Sequence, residues 1–197
     1  MERSSGPVSR PLVVIDLAVK VATVALLAWA VLNPDLPQFT GKAFAGRALA
    51  YPLALVALPI GWWLFGRSRI AYPLVADILF GLPFLIDVAG NALDLYDTID
   101  WWDDANHLVN WALHTSAVAL LLRVGTWGYG TRVALAFAWA VTSAVLWEFA
   151  EFVTFVPDSP EATTAYADTL LDLALGMVGG GIAAFVVSRL GPANSRS

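Results

Sequence analysis

Three short motifs gather the residues able to do chemistry: Asp103-Asp104-Ala105-Asn106-His107, Trp147-Glu148-Phe149-Ala150-Glu151 and Asp168-Thr169-Leu170-Leu171-Asp172. Each lies inside or at the edge of a long apolar run, where a charge is costly and points by default to function. Asp and Glu with one or two His form a ligand set for a divalent ion. Mn²⁺, Zn²⁺ or Fe²⁺ accepts imidazole, whereas Mg²⁺ or Ca²⁺ prefers oxygen alone. Spacings of three or four residues let two side chains on one helix share a ligand. The pairs Asp103/His107, Glu148/Glu151 and Asp168/Asp172 have those spacings. They are the expected metal ligands, with His107 and Glu148 the candidates for catalysis as ligand or general base.

The elements that carry these motifs belong to a membrane protein. The chain is 58% hydrophobic and only 14% charged, with a mean hydropathy of +0.68; a soluble domain carries about a quarter charged residues. Crossing a bilayer takes about 20 apolar residues in a helix. Six stretches qualify: Pro11 to Leu32, Ala45 to Phe65, Ile70 to Leu93, Ala105 to Val124, Arg132 to Phe155 and Tyr166 to Ser188. The runs lack the alternation of a β-barrel. The expected fold is therefore an all-α, integral membrane six-helix bundle over residues 11–188, with tails at 1–10 and 189–197. The first stretch resembles a signal peptide, but Asp16 and Lys20 interrupt it, and they read as a structural pair one turn apart.

Loop charges set the direction. Arg3, Arg10, Arg67, Arg69, Arg123, Arg132, Arg189 and Arg196 all fall at one set of helix ends, which marks that side as cytoplasmic and both termini as inside. Asp97, Asp100, Asp103, Asp158 and Glu161 lie at the other ends; Lys42 and Arg47, assigned to the first outer loop, are the dissent. In this topology the three motifs share the outer half of the membrane. Helix three adds Asp87, Asn91 and Asp94 on one face, and helix four continues through Asn110 to His114, about 10 Å below His107 at 1.5 Å per residue. Little Lys or Arg offsets these acids. The excess must bind a cation, stay protonated or face a water-filled cavity.

Bland readings stand beside the sharp ones. Glu151 and Asp168, the outermost acids, can reach interfacial water, and Asp97, Asp100 and Asp104 read as a solvated face. His114 reads as an interior hydrogen-bonded histidine. Asp77 either extends an ion path or bonds a neighbouring helix. Pro52, Pro59, Pro73 and Pro83 are expected to kink helices two and three. Gly176, Gly179, Gly180 and Gly181 give helix six a small-residue face; packing within the bundle is the default, homo-oligomerisation the alternative. The chain contains no cysteine, which excludes disulfides and thiolate chemistry. Its net charge of −5 gives no reason to expect a nucleic-acid partner.

In order and spacing, Asp103-x-x-x-His107, Glu148-x-x-Glu151 and Asp168-Thr169-x-x-Asp172 with Gly179 resemble the YjdF-like family of bacterial inner-membrane proteins, a family of unknown function. The resemblance covers helices three to six, and Asp104 is an additional acid. More distantly, the order is similar to that of VanZ-like membrane proteins, linked to glycopeptide-antibiotic resistance. It implies a multi-pass protein of the bacterial cytoplasmic membrane, in contact with lipid, and no particular reaction. Three functions are open on this sequence: a metal-dependent enzyme acting on lipid or envelope head groups, a non-catalytic head-group binder, and a proton- or cation-coupled transporter.

Overall fold

The computed structural model describes residues 9–68, 70–154, 156 and 160–191. The expectations placed on Arg3, Arg69, Asp158 and Arg196, and on the Glu161 side chain, lie outside the described residues. Among those described, the chain is all-helical, with six long helices and one short one. These are α1 (Arg10–Leu32), α2 (Phe44–Gly61, extended by a π-helical turn over Trp62–Gly66), α3 (Leu74–Ala92), α4 (Leu95–Thr98), α5 (Trp102–Leu122), α6 (Tyr129–Thr154) and α7 (Ala165–Val187). α4, a single turn between α3 and α5, has no counterpart in the expected elements.

Five helices (α1, α2 with its π turn, α3, α6 and α7) are long and apolar enough to cross a membrane. Their large apolar side chains point outward: Val14, Leu17, Val21, Leu49, Leu53, Leu146, Phe149 and Ile182 are all exposed. A protein in water rarely exposes apolar surface so continuously. α5 has a span's length but carries Asp103, Asp104, His107 and His114. Packing explains why it tolerates them. α5 is the central helix, in contact with α3, α6 and α7, with nearly every residue buried or half-buried.

Close approach of α5 and α7 depends on glycine. A Cβ added to Gly179 would lie 2.0 Å from the Leu108 carbonyl oxygen, and one on Gly176 would lie 2.7 Å from the Trp111 ring. Gly180 meets Ala140 of α6 in the same way, at 2.4 Å. These three glycines are buried within the chain itself. The small-residue face thus serves packing in the bundle, since only a missing side chain lets backbones come this near.

Two sequence expectations are corrected by the helix ends. Pro73 is not inside helix three but at its N-cap, where its missing N–H leaves no intrahelical bond unmade; Pro52, Pro59 and Pro83 do lie inside helices. Asp94 does not continue the Asp87/Asn91 face. Helix three ends before it, and Asp94 takes a left-handed conformation with φ 60°.

The charges of α1 are tied to α3. Lys20 donates to Asp16 at 2.7 Å and also to Asp77, which accepts from Tyr72 as well. Asp77 is 2% exposed. Of the two readings of Asp77, the bond to a neighbouring helix is the one present. Burial first, and then the bond to Asp77, holds the Tyr72 hydroxyl well above its ordinary pKa, so it serves as a donor.

Candidate functional site

The opposite end of the bundle holds a cavity of about 1160 Å³. Six helices bring polar side chains to it: the start of α2, the ends of α3 and α6, the starts of α5 and α7, and the short α4. Antiparallel neighbours place sequence-distant motifs at one height. The cavity therefore collects Asp103, His107, Asn110 and His114 from α5, Glu148 and Glu151 from α6, and Asp168 and Asp172 from α7, together with Asp87, Asn91 and Asp94. All eleven expected site residues line it.

They do not contribute equally. His107 is at the centre, 7% exposed. Its Nε2 is 3.7 Å from an oxygen of Asp103 and 3.7 Å from Asp172 Oδ1, while Nδ1 is 3.7 Å from Glu148 Oε1. Those distances exceed a hydrogen bond. They are close to the separation, about 3–4 Å, of two ligands each about 2.1 Å from one metal ion. Two donor groups result, Asp103/His107/Asp172 and His107/Glu148/Glu151, each with ligand atoms within 4.8 Å of one another. Asp168 joins neither and is exposed.

The central groups are short of partners. His107 Nδ1 and Asp172 Oδ1 are buried and make no hydrogen bond among the described residues. Buried polar atoms in folded proteins are almost always satisfied. Glu148 is steadied by a hydrogen bond from Thr169 of α7. On α5, Asn106 donates to the Trp102 carbonyl at 2.7 Å and accepts from Asn110 at 3.2 Å. Deeper, His114 stacks on Phe80 with centroids 4.8 Å apart and hydrogen-bonds the Phe80 backbone. Its Nε2 is buried with no partner among the described residues, and the residue lines the cavity.

A second cluster faces the first across the cavity, and its key member was misplaced by the sequence reading. Arg47 is not in a loop but in the first turn of α2. Its Nη1 donates to both oxygens of Asp87 at 3.1 Å. Asp87 also accepts from Tyr51 at 2.6 Å and Tyr96 at 3.2 Å. Burial, followed by the Asp87 charge, pushes the Tyr96 hydroxyl far above its ordinary pKa. It remains a donor. The Asn91 amide bonds the Asp87 backbone at 2.9 Å. The other dissenting cation, Lys42, pairs with Asp97 at 2.5 Å. Part of the acid excess is thus neutralised from within. The available signal was a lone arginine between Phe44 and Tyr51, at the spacing of one helical turn from the tyrosine.

Fold and site together define a helical membrane protein with a buried acid and imidazole centre at one end of its bundle. The family model described as a predicted membrane protein (DUF2238) matches residues 15–192, and the chain belongs to that family. The YjdF-like resemblance is consistent with this membership. No curated protein and no solved structure matches the chain.

Proposed function

We propose that this is a six-span protein of the bacterial cytoplasmic membrane that binds a divalent cation in an outward-facing cavity and uses it on the head group of a lipid or envelope precursor. The observation that carries the reading is His107. A buried imidazole stands between two pairs of carboxylates, at distances too long for hydrogen bonds and suited to a shared cation. An uncompensated group of acids at this depth is unfavourable, and a bound cation relieves it.

The topology rests on the distribution of charge. Arg67, Arg123, Arg132 and Arg189 lie at one end and Asp97, Asp100 and Asp103 at the other, in keeping with the excess of positive charge on the cytoplasmic side. Lys42 and Arg47 no longer argue against it, because both are engaged in ion pairs with acids of that end. α5 is read as the sixth span, its polar residues turned to the bundle interior.

His107 belongs to both donor groups, so one of its nitrogens would ligate and the other would face a carboxylate. That arrangement fixes the ring and raises its basicity. With Asp103 and Asp172 as the remaining ligands, Glu148 would orient His107, and Glu151 would be left to take up a proton. The cation itself would polarise a phosphoryl or carbonyl oxygen, or activate water. The similarity in motif order to VanZ-like proteins supports a role at the cell envelope.

Element-resolved metal analysis of detergent-purified protein tests the reading, with an Asp103/His107/Glu148 alanine variant alongside. Near-stoichiometric metal in the parent and none in the variant is expected. Metal absent from both, even after addition of Mn²⁺ or Zn²⁺, would overturn it.

A further inference from the structure

The cavity has a cationic wall opposite its acidic one, and this wall bears on what the site takes. Arg47 spends one nitrogen on Asp87. Its guanidinium also lies over the Phe44 ring, 5.4 Å from the centroid. Nε and Nη2 make no hydrogen bond among the described residues, yet the side chain is only 11% exposed and lines the cavity. Asp87 is held in turn by Tyr51, Tyr96 and Asn91, so the arginine is fixed in direction with part of its fork unspent. Glu151 interacts electrostatically with Arg47 and shares a donor group with His107. The guanidinium and the candidate cation site thus line one cavity.

We propose that Arg47 is an anion-binding residue and that the ligand of this cavity carries a phosphate-type oxyanion, held between the guanidinium and the cation at His107. The inference rests on the metal reading for its second contact. A planar fork of N–H donors matches phosphate oxygens two at a time. The bare carboxylates repel an anion; a bound cation reverses that field, so cation and anion bind with positive coupling through the cavity. The cavity lies among helices able to span a membrane, which favours a phosphate borne by an amphiphile. α2 and α6 both contribute to the cavity lining. Between them Tyr51 and Trp147 meet only as tilted rings, 6.2 Å apart. Phe152, which lines the same cavity, is exposed on the outside.

The test is equilibrium binding of dioctanoyl phosphatidate and, separately, inorganic phosphate to the full-length protein in detergent, with Mn²⁺ and with chelator. Mn²⁺ binding alone is measured on the same samples. Saturable phosphate binding that Mn²⁺ tightens is expected, weakened about tenfold or more in Arg47→Gln, the scale for loss of a charged two-point contact. An Arg47→Gln/Asp87→Asn variant, which leaves no stranded carboxylate, should show the same loss with a normal unfolding profile. Preference for phosphatidate over inorganic phosphate assigns the oxyanion to a lipid; equal binding assigns it to a soluble phosphate. Mn²⁺ bound while neither phosphate probe binds, or binds equally to Arg47→Gln, overturns this proposal and leaves the metal reading intact. Arg47-dependent phosphate binding with no Mn²⁺ bound keeps Arg47 as the anion contact but overturns the metal reading and, with it, the second contact proposed here.

Discussion

The two ends of the bundle bury charge in opposite ways. At one end, Lys20 bridges Asp16 and Asp77, and Tyr72 completes the set. The acids there have a cation of the chain's own. At the other end, His107, Glu148 and Asp172 are as deeply buried but face one another across gaps, with donor and acceptor atoms left over. The contrast separates two uses of the same chemistry. Acids whose charge is satisfied within the chain hold helices together, whereas acids left unsatisfied at similar burial are the ones for which a bound cation is proposed.

The largest effect should come from breaking the satisfied end. Lys20→Met strands Asp16 and Asp77, and a buried pair that loses one partner costs about 3–5 kcal/mol. Thermal unfolding followed by tryptophan fluorescence should show a marked fall in midpoint, with metal content per folded protein unchanged. Asp172→Asn at the other end should do the opposite. Stability holds or rises, because a like-charged group is removed, while metal affinity falls by more than the roughly 10–100-fold that follows loss of a group that merely orients a ligand. Equal destabilisation by the two substitutions would erase the distinction.

Gly179→Ala sharpens the comparison without touching a ligand. Its new Cβ has no room beside Leu108, so α7 must shift from α5 and carry Asp172 away from His107. A cost of about 1–3 kcal/mol in stability is expected for such overpacking, together with weakened metal binding measured by titration. Thr169→Val should have the smallest effect. It removes one hydrogen-bond partner of Glu148, typically worth about 0.5–1.5 kcal/mol net, and should lower metal affinity with only a small fall in the unfolding midpoint.

Much of this was legible in the sequence. The six long helices fall within a few residues of the apolar stretches, since hydropathy and length dictate both. The three motifs converge because antiparallel helices put alternate ends together. What the sequence hid was partnership. Arg47 was counted with the outer-loop charges although the second apolar stretch begins at Ala45, because no local pattern says that Asp87, forty residues on, lies opposite. The short helix α4, with Asp94 at its start in a left-handed conformation, likewise depends on how α3 must turn to deliver α5, not on any local pattern. Nor does spacing within motifs reveal that His107 alone is common to both donor groups and that Asp168 is in neither.

The contact between Gly179 and the Leu108 carbonyl has a consequence for ion choice. It lies one residue from His107 and about two helical turns from Asp172, and it is a contact of backbone on backbone, with no side chain to yield. The spacing between the α5 and α7 backbones that carry the proposed ligands is therefore set by the helices. A rigid frame discriminates by ionic radius: it favours an ion content with short bonds and few ligands, and disfavours calcium, which takes six to eight oxygens at about 2.3–2.6 Å in yielding surroundings.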